Sequence, residues 1–213
     1  MSEPKIRVLL VEDHQVVREG LRALLRAEPD INVVGEAADG LSAFSQVGAT
    51  LPDVVLMDLG LPGLNGVEAI RRIRAAHPTL PVLVLSMYDD AQTVDRALRA
   101  GAKGYVLKGL GVAQLCTAIR KVHQGDAFLS PQIAEYALQG DLAPGSAERD
   151  PLSPREREVM QLIAEGYTSR QIADRLGLST KTVSNHRANI IEKLGVRTTA
   201  GLVRYAIRAG ISR

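Results

Sequence analysis

The stretch IRVLLV at residues 6–11, followed directly by Glu12 and Asp13, decides the fold class predicted for the N-terminal part of the chain. A run that is almost wholly apolar is typical of a strand covered on both faces, as in a parallel sheet. Four further strand-like runs follow, at Ile31–Glu36, Val54–Met57, Val82–Ser86 and Gly104–Leu107. Helical segments separate these runs, so the pattern predicts an α/β domain with a doubly wound, five-stranded parallel sheet.

Helices are predicted between the strands, and in the first two of them apolar residues recur on one face at three- and four-residue spacing. They are placed at Val16–Leu25, Gly66–Ile73, Gln92–Arg99 and Val112–Gln124, with a shorter helix at Gln132–Leu138.

The overall composition of the 213 residues, with 46% hydrophobic and 23% charged side chains, indicates a soluble globular protein with one ordinary and one small domain. Every apolar run is shorter than the roughly 18 residues of a membrane span, and the N-terminus lacks the basic region of a signal peptide. The single cysteine, Cys116, excludes an intrachain disulfide framework and a Cys-rich zinc site. We therefore expect a cytoplasmic protein with no membrane partner.

The segment Gln139–Pro154 has a different composition, with three prolines, two glycines and little apolar content, and it predicts an interdomain linker. The residues after it have helical patterns throughout. Ser153 with Glu156 three residues later is the signature of a capping box at the start of a helix. The predicted boundaries are 5–125 for the first domain, 126–151 for the short helix and linker, and 152–213 for an all-α four-helix domain. The four helices are placed at Pro154–Glu165, Ser169–Leu176, Thr180–Leu194 and Thr199–Ala209.

Charge is distributed unevenly between the two parts of the chain. Residues 1–147 carry a net charge of −3 and residues 148–213 a net charge of +5. From Thr180 onward there are seven basic residues and one acidic residue, Glu192. A small basic helical domain indicates a polyanionic partner.

Polar and charged residues stand at the carboxyl ends of four predicted strands, where ligands bind in doubly wound sheets. Glu12 and Asp13 follow the first strand and Asp58 the third, while Ser86 ends the fourth and Lys108 follows the fifth. Three neighbouring carboxylates repel one another unless a cation intervenes, and Mg²⁺ prefers such oxygen ligands. The pattern therefore predicts a magnesium site at this edge of the sheet.

The same residues suit phosphoryl transfer. Asp58 could accept a phosphoryl group, because carboxylates form acyl phosphates, while Lys108 supplies positive charge and Ser86 a hydroxyl donor. The alternative is that acidic residues follow strands because loops are polar, but five polar or charged residues at the ends of four strands in one domain favour a site. His14 adjoins the acidic pair, yet no second His or Cys at ligand spacing supports zinc.

Several motifs of the first domain resemble the receiver domain of two-component response regulators. They are VLLVED at residues 8–13, MDLGLPGLNG at 57–66, Ser86, and GYVLK at 104–108. The resemblance implies a flavodoxin-like fold and phosphorylation of Asp58.

The resemblance also implies a role for each of the other site residues. Mg²⁺ would be held by Glu12, Asp13, Asp58 and the backbone carbonyl of Gly60. Ser86 and Lys108 would contact the phosphoryl group, and Tyr105 would be the switch aromatic.

The segment Ser169–Asn189 has helix-turn-helix spacing, with a turn at Gly177–Ser179. The outer face of its second helix is polar and cationic, which suits the major groove of B-DNA. The candidate DNA contacts are Lys181, Thr182, Ser184, Asn185, Arg187 and Ala188. A solvated amphipathic helix is the alternative, and the scarcity of acidic residues after Thr180 favours DNA.

The run Leu152–Ile211 resembles the effector domain of the LuxR/FixJ family, also called NarL. The matching pieces are LSPREREV at residues 152–159, QIA at 171–173, KTVSNH at 181–186 and IIEKL at 190–194. The resemblance implies that Ser184, Asn185 and Ala188 face bases and that Lys181 lies near phosphate.

Together these observations predict a DNA-binding response regulator of a two-component phosphorelay. A sensor histidine kinase would phosphorylate Asp58 with Mg²⁺, and phosphorylation would control homodimerisation and binding to double-stranded promoter DNA. The protein would not be an enzyme beyond its own phosphorylation and dephosphorylation. One rival is a phosphohydrolase, but Gly60 stands where such enzymes need a second carboxylate; another is a phosphorylation-controlled module that binds protein through its C-terminal helices.

Overall fold

The computed structural model describes residues 4–139, 151–196, 198–209 and 211. The chain divides into two compact units, one built on a sheet and one on the last helices, and each is described by itself. Most of the predicted linker, residues 140–150, lies outside the described residues.

A six-stranded sheet forms the centre of the first unit. Its strands are β1 (Ile6–Val11), β2 (Ile31–Ala37), β3 (Val54–Met57), β4 (Val82–Ser86), β5 (Gly104–Leu107) and β6 (Phe128–Leu129). The spatial order is β2-β1-β3-β4-β5-β6, and every pairing is parallel. The predicted doubly wound α/β fold is confirmed, and the order reverses between β1 and β3, which places a ligand crevice at their carboxyl ends.

Helices connect the strands and follow the sheet. They are α1 (Gln15–Arg26), α2 (Gly40–Thr50), α3 (Gly66–Ala76), α4 (Ala91–Arg99), α5 (Val112–His123) and α6 (Pro131–Gln139). The helices placed from sequence are confirmed with ends within three residues, but α2 has no counterpart among them. Its sequence GLSAFSQVGAT has no charged residue to contrast with the apolar ones, so the periodic signal is weak. Asp39 starts α2, accepting hydrogen bonds from the N–H groups of Leu41 and Ser42.

Strand β6 is the sixth strand that the prediction of five lacks. It has two residues, too few for a periodic pattern. It lies beside β5, where Gly104 pairs with Phe128 and Tyr105 with Leu129. The absence of a side chain at Gly104 permits this approach, since a Cβ there would lie 2.7 Å from the carbonyl oxygen of Phe128.

The core of the first unit lies on both faces of the sheet. All four residues of β3 and all five of β4 are buried, as the apolar sequence of these strands predicts. Helix α5 contributes Leu115, Cys116 and Ile119 to the same core. Cys116 is buried as a packing residue, and burial raises the pKa of its thiol, which keeps it protonated.

Within the described residues of the second unit, the regular elements are all helices. Its helices are α7 (Pro154–Ala164), α8 (Ser169–Leu176), α9 (Thr180–Leu194) and α10 (Thr199–Arg208), each within one residue of the predicted ends. The predicted capping box at Ser153 and Glu156 is confirmed, and a second one joins Thr168 and Gln171 at the start of α8. Helix α8 ends at Gly177, whose φ of 63° is in the left-handed region that favours glycine.

The core of the second unit draws residues from all four helices. Val159, Ile172, Val183, Ile190 and Leu202 belong to one buried cluster. Val183 and Ile190 form the inner side of α9, so the opposite side of that helix faces outward. Among the described residues no helix is long and apolar enough to cross a membrane.

Candidate functional site

Three carboxylates lie at the crevice where the strand order of the sheet reverses. Glu12 and Asp13 follow β1 and Asp58 follows β3, the strand that pairs with β1. Glu12 and Asp58 are buried, whereas the side chain of Asp13 is 20% exposed. The backbone N–H of Asp58 donates to the carbonyl of Val11 at 2.9 Å, which holds the two strand ends together. We call these three residues the acidic pocket.

Lys108 joins two members of the acidic pocket. Its Nζ lies 2.7 Å from Oε2 of Glu12 and 3.0 Å from Oδ2 of Asp58. Burial lowers the pKa of Lys108, but the hydrogen bond to Glu12 and the charge of Asp58 outweigh it, so the pKa lies above its ordinary value. Lys108 therefore carries a positive charge between two buried carboxylates.

His14 and Arg18 border the acidic pocket on the side of α1. Nδ1 of His14 lies 2.9 Å from Oδ1 of Asp13 and 3.2 Å from Oε1 of Glu12. The guanidinium of Arg18 donates to the carbonyl of Glu12 at 2.6 Å. Sequence reasoning considered His14 for zinc alone and passed over Arg18, although its place in the first turns of α1 could have indicated this contact.

Ser86 and Tyr105 are linked through the backbone of Tyr88. Oγ of Ser86 accepts from the N–H of Tyr88 at 3.1 Å, and the hydroxyl of Tyr105 donates to the carbonyl of Tyr88 at 2.7 Å. Both side chains are fully buried, and burial above all raises the pKa of Tyr105, so its hydroxyl remains a donor. This connection through a main-chain group could not be predicted from residue type.

The loop between β3 and α3 carries Gly60, whose role as a metal ligand stays a prediction. Oδ1 of Asp58 accepts from the N–H of Leu59 at 2.7 Å, and the N–H of Gly66 donates to the carbonyl of Leu59 at 3.0 Å.

A cavity of about 430 Å³ opens beside Ser86 and Lys108, with Pro131 at the start of α6 in its wall.

The candidate DNA-reading residues lie on α9. Lys181, Ser184, Asn185 and Ala188 are exposed, and Thr182 and Arg187 are partly exposed. Ser179 caps the helix by accepting from the N–H of Thr182, and the hydroxyl of Ser184 donates to the carbonyl of Thr180 at 3.0 Å. The exposed side of α9 therefore carries small or polar side chains at Ser184, Asn185 and Ala188, and the cationic Lys181 lies near the N-terminal end of the helix.

Comparison with family models assigns both units. Residues 8–120 match the response regulator receiver domain, and residues 150–206 match the bacterial regulatory proteins of the luxR family. The chain is a response regulator of the LuxR family. It therefore combines a receiver domain with a LuxR-type helix-turn-helix DNA-binding domain, and it is a regulator of transcription.

Relatives of this LuxR-family response regulator match it over nearly their whole length. The transcriptional regulatory protein MctR of Rhizobium johnstonii is 38% identical over 210 residues, which cover 99% of this chain and 97% of MctR. The oxygen regulatory protein NreC of Staphylococcus carnosus is 37% identical, with 95% and 97% covered. A solved structure of RcsB from Salmonella enterica serovar Typhimurium, bound to promoter rprA in the presence of phosphomimetic BeF3−, is 29% identical, covers 94% of this chain and 98% of that one, and has a TM-score of 0.63.

Proposed function

We propose that Mg²⁺-dependent phosphorylation of Asp58 by a sensor histidine kinase controls dimerisation and promoter binding. The observation that carries this proposal is the ammonium of Lys108, which lies between Asp58 and Glu12 at the reversal point of the sheet. An acceptor carboxylate and a buried cation in one crevice suit a group that gains negative charge.

The acidic pocket has the donor set that a hard divalent cation requires. Glu12 and Asp13 offer carboxylate oxygens that lie within 4.8 Å of each other and of a ring nitrogen of His14, and Lys108 links Glu12 to Asp58. Glu12, Asp13, Asp58 and the carbonyl of Gly60 would hold Mg²⁺, which favours such ligands. Bound Mg²⁺ would neutralise charge on the phosphoryl oxygens.

Residues of this chain would accept the phosphoryl group and respond to it by a change in conformation. An oxygen of Asp58 attacks phosphorus, the bond from phosphorus to the kinase histidine breaks, and the departing imidazole takes up a proton. Lys108 then pairs with the new anion, and Ser86 donates its hydroxyl to it. As Ser86 turns toward the anion, the N–H of Tyr88 loses its acceptor, which would shift Tyr105 through their shared hydrogen bonds.

The second domain would read DNA with the exposed side of α9. Lys181 and Arg187 offer charge to phosphates, and Asn185 offers an amide to a base edge, with Thr182, Ser184 and Ala188 beside them. Phosphorylation would favour a homodimer that places two such helices on neighbouring major grooves. Promoter binding is supported by the structure of the similar protein RcsB bound to promoter rprA in the presence of phosphomimetic BeF3−.

We assign residues 5–125 to the receiver, 126–151 to the short helix and linker, and 152–213 to the DNA-binding domain. The protein would work in the cytoplasm, and its chemistry would be limited to its own phosphorylation and dephosphorylation.

Substitution of the phosphoacceptor tests this function. Asp58→Asn should abolish covalent labelling by acetyl phosphate, since an amide cannot form the acyl phosphate, while the circular dichroism spectrum stays unchanged. It should also abolish the gain in DNA affinity that beryllium fluoride with Mg²⁺ produces in the wild-type chain. Asp126→Asn, at an exposed carboxylate of the same compact unit just beyond the receiver boundary, is the control and should behave as wild type. Label on another residue in the wild-type chain would refute the assignment.

A further inference from the structure

The turn between α8 and α9 determines how the reading helix leaves its neighbour. Gly177 ends α8 in the left-handed conformation, and the N–H of Leu178 donates to the carbonyl of Ala173 at 2.9 Å. The last carbonyls of any helix lack partners within that helix and are satisfied from outside. Here one such carbonyl, that of Leu176, accepts a hydrogen bond from α7.

The donor to Leu176 is Arg155 in the first turn of α7. Its Nη2 lies 2.8 Å from the Leu176 oxygen, and its Nη1 lies 2.5 Å from Oε2 of Glu158. A planar guanidinium can donate in two fixed directions at once, which an ammonium cannot do with the same geometry. A cation at the C-terminal end of α8 is also favourable toward the helix dipole. Arg155 therefore ties the end of α8 to the start of α7.

The next residue makes the corresponding contact to α9. Oε2 of Glu156 lies 2.6 Å from Nζ of Lys193, in the last turn of α9, and 2.7 Å from the N–H of Ser153. Burial raises the pKa of Glu156, but the bonds from Lys193 and Ser153 outweigh it, so the pKa lies below its ordinary value. We call Ser153–Glu158 the anchor turn, because it contacts both helices of the helix-turn-helix.

We propose that Arg155 and Glu156 are positioning residues for base reading, acting through α8 and α9 and not through contact with DNA. The proposal rests on the proposed reading of DNA by α9. Hydrogen bonds to base edges need side chains at narrow distances and angles, whereas phosphate contacts tolerate small shifts. If the contacts of the anchor turn to α8 and α9 are removed, the affinity for the selected DNA sequence should therefore fall more than the affinity for DNA of unrelated sequence.

The test compares Arg155→Met and Lys193→Met with wild type as full chains activated by beryllium fluoride and Mg²⁺. The probes are the duplex that wild type selects from a random library and a scrambled duplex of the same composition. We expect each variant to bind the selected duplex about tenfold more weakly, with affinity for the scrambled duplex and the salt slope unchanged. Arg155→Lys should recover part of the loss, since an ammonium can satisfy one of the two acceptors.

Lys181→Ala is the comparator for a direct phosphate contact, because it should weaken binding to both duplexes and lower the salt slope by about one. The inference is overturned if Arg155→Met behaves like Lys181→Ala. It is equally overturned if Arg155→Met lowers the melting temperature but leaves discrimination intact, since the role is then structural alone. If Arg155→Met does not fold, Arg155→Lys and Lys193→Met decide by the same criterion. Failure of wild type to select any duplex would instead reject DNA reading itself.

Discussion

At the scale of single residues, Gly66 controls the conformation of the loop that follows Asp58. A Cβ at Gly66 would lie 2.2 Å from the carbonyl oxygen of Asp58 and 2.6 Å from Cα of Leu59. Both obstacles are backbone atoms, so no rotation of a side chain could relieve the contact. The residue at this position must therefore be glycine for Asp58 and its loop to keep their conformation.

Gly66→Ala should destabilise the receiver by about 1–3 kcal/mol, as overpacking of a close contact does. It should also slow labelling of Asp58 by acetyl phosphate, because the loop has to move. The matched control is Gly48→Ala in α2, where a Cβ would meet nothing within 4 Å. There the substitution should stabilise the helix by about 0.5–1 kcal/mol. Denaturant unfolding measures the change in the free energy of unfolding for both variants. Equal changes at Gly66 and Gly48 would contradict the role of the close contact at Gly66.

The candidate site was predictable in part from residue type and position. Glu12, Asp13 and Asp58 stand directly after strands, and the strands end where the apolar runs end, so their common edge followed from the fold class. The bond of Lys108 to Glu12, across 96 positions of sequence, depends on where β5 lies in the sheet. Strand order is set by long-range pairing, which local patterns do not contain.

At the scale of elements, the pair of Glu156 and Lys193 joins the start of α7 to the end of α9. The pKa of Glu156 lies below its usual value of 4.5, because the partners outweigh burial. A carboxylate whose pKa is lower in the folded state stabilises the fold above its unfolded-state pKa. That contribution is lost as the pH falls below 4.5 and the folded carboxylate takes up its proton.

Lys193→Met should therefore lower the stability of the second domain by up to about 1 kcal/mol at neutral pH, since Lys193 is partly exposed. The difference from wild type should shrink as the pH falls below 4.5. Hydrogen exchange of peptides from α7 and α9 measures this difference in stability in the full chain. Lys181→Ala, an exposed lysine of the same domain, provides the control and should show no such pH dependence. A difference that stays constant into acid would remove Glu156 as the partner.

Elements with strong local signals were predicted well, and elements without them were not. The helices of the second domain carry capping residues at one end, and α8 and α9 carry glycines at the other, and their predicted ends are confirmed within one residue. Strand β6 can pair with β5 because Gly104 has no side chain in the way. It was not predicted from the sequence, because two residues are too few to show a strand pattern. Helix α2 has an N-cap at Asp39, but the weak contrast between its polar and apolar residues left it without a periodic signal.

At the scale of the whole molecule, the two halves of the chain differ in net charge. Residues 148–213 carry +5 and residues 1–147 carry −3, so we expect the electrostatic attraction to DNA to come from the C-terminal part of the chain. Each phosphate that a cation neutralises releases counterions, and the logarithm of affinity falls linearly with the logarithm of salt concentration.

Lys181→Ala should lower that slope by about one and weaken binding similarly on different duplexes. Lys103→Ala, an exposed lysine of the receiver, is the matched control and should leave the slope unchanged. Fluorescence anisotropy across a salt series measures both slopes. An unchanged slope in Lys181→Ala would take this residue out of the phosphate contacts.

The sequence by itself determined the strands with apolar runs, the capped helices, the charge of each half and the carboxylates at the strand ends. These properties depend on neighbours within a few residues, because periodicity, capping and turn preference act locally. Only the tertiary structure decided that Lys108 joins Glu12 to Asp58, that β6 extends the sheet, and that Arg155 holds the end of α8. Each of these contacts joins residues distant in the chain, and their distance is set by how elements pack and not by what the residues are.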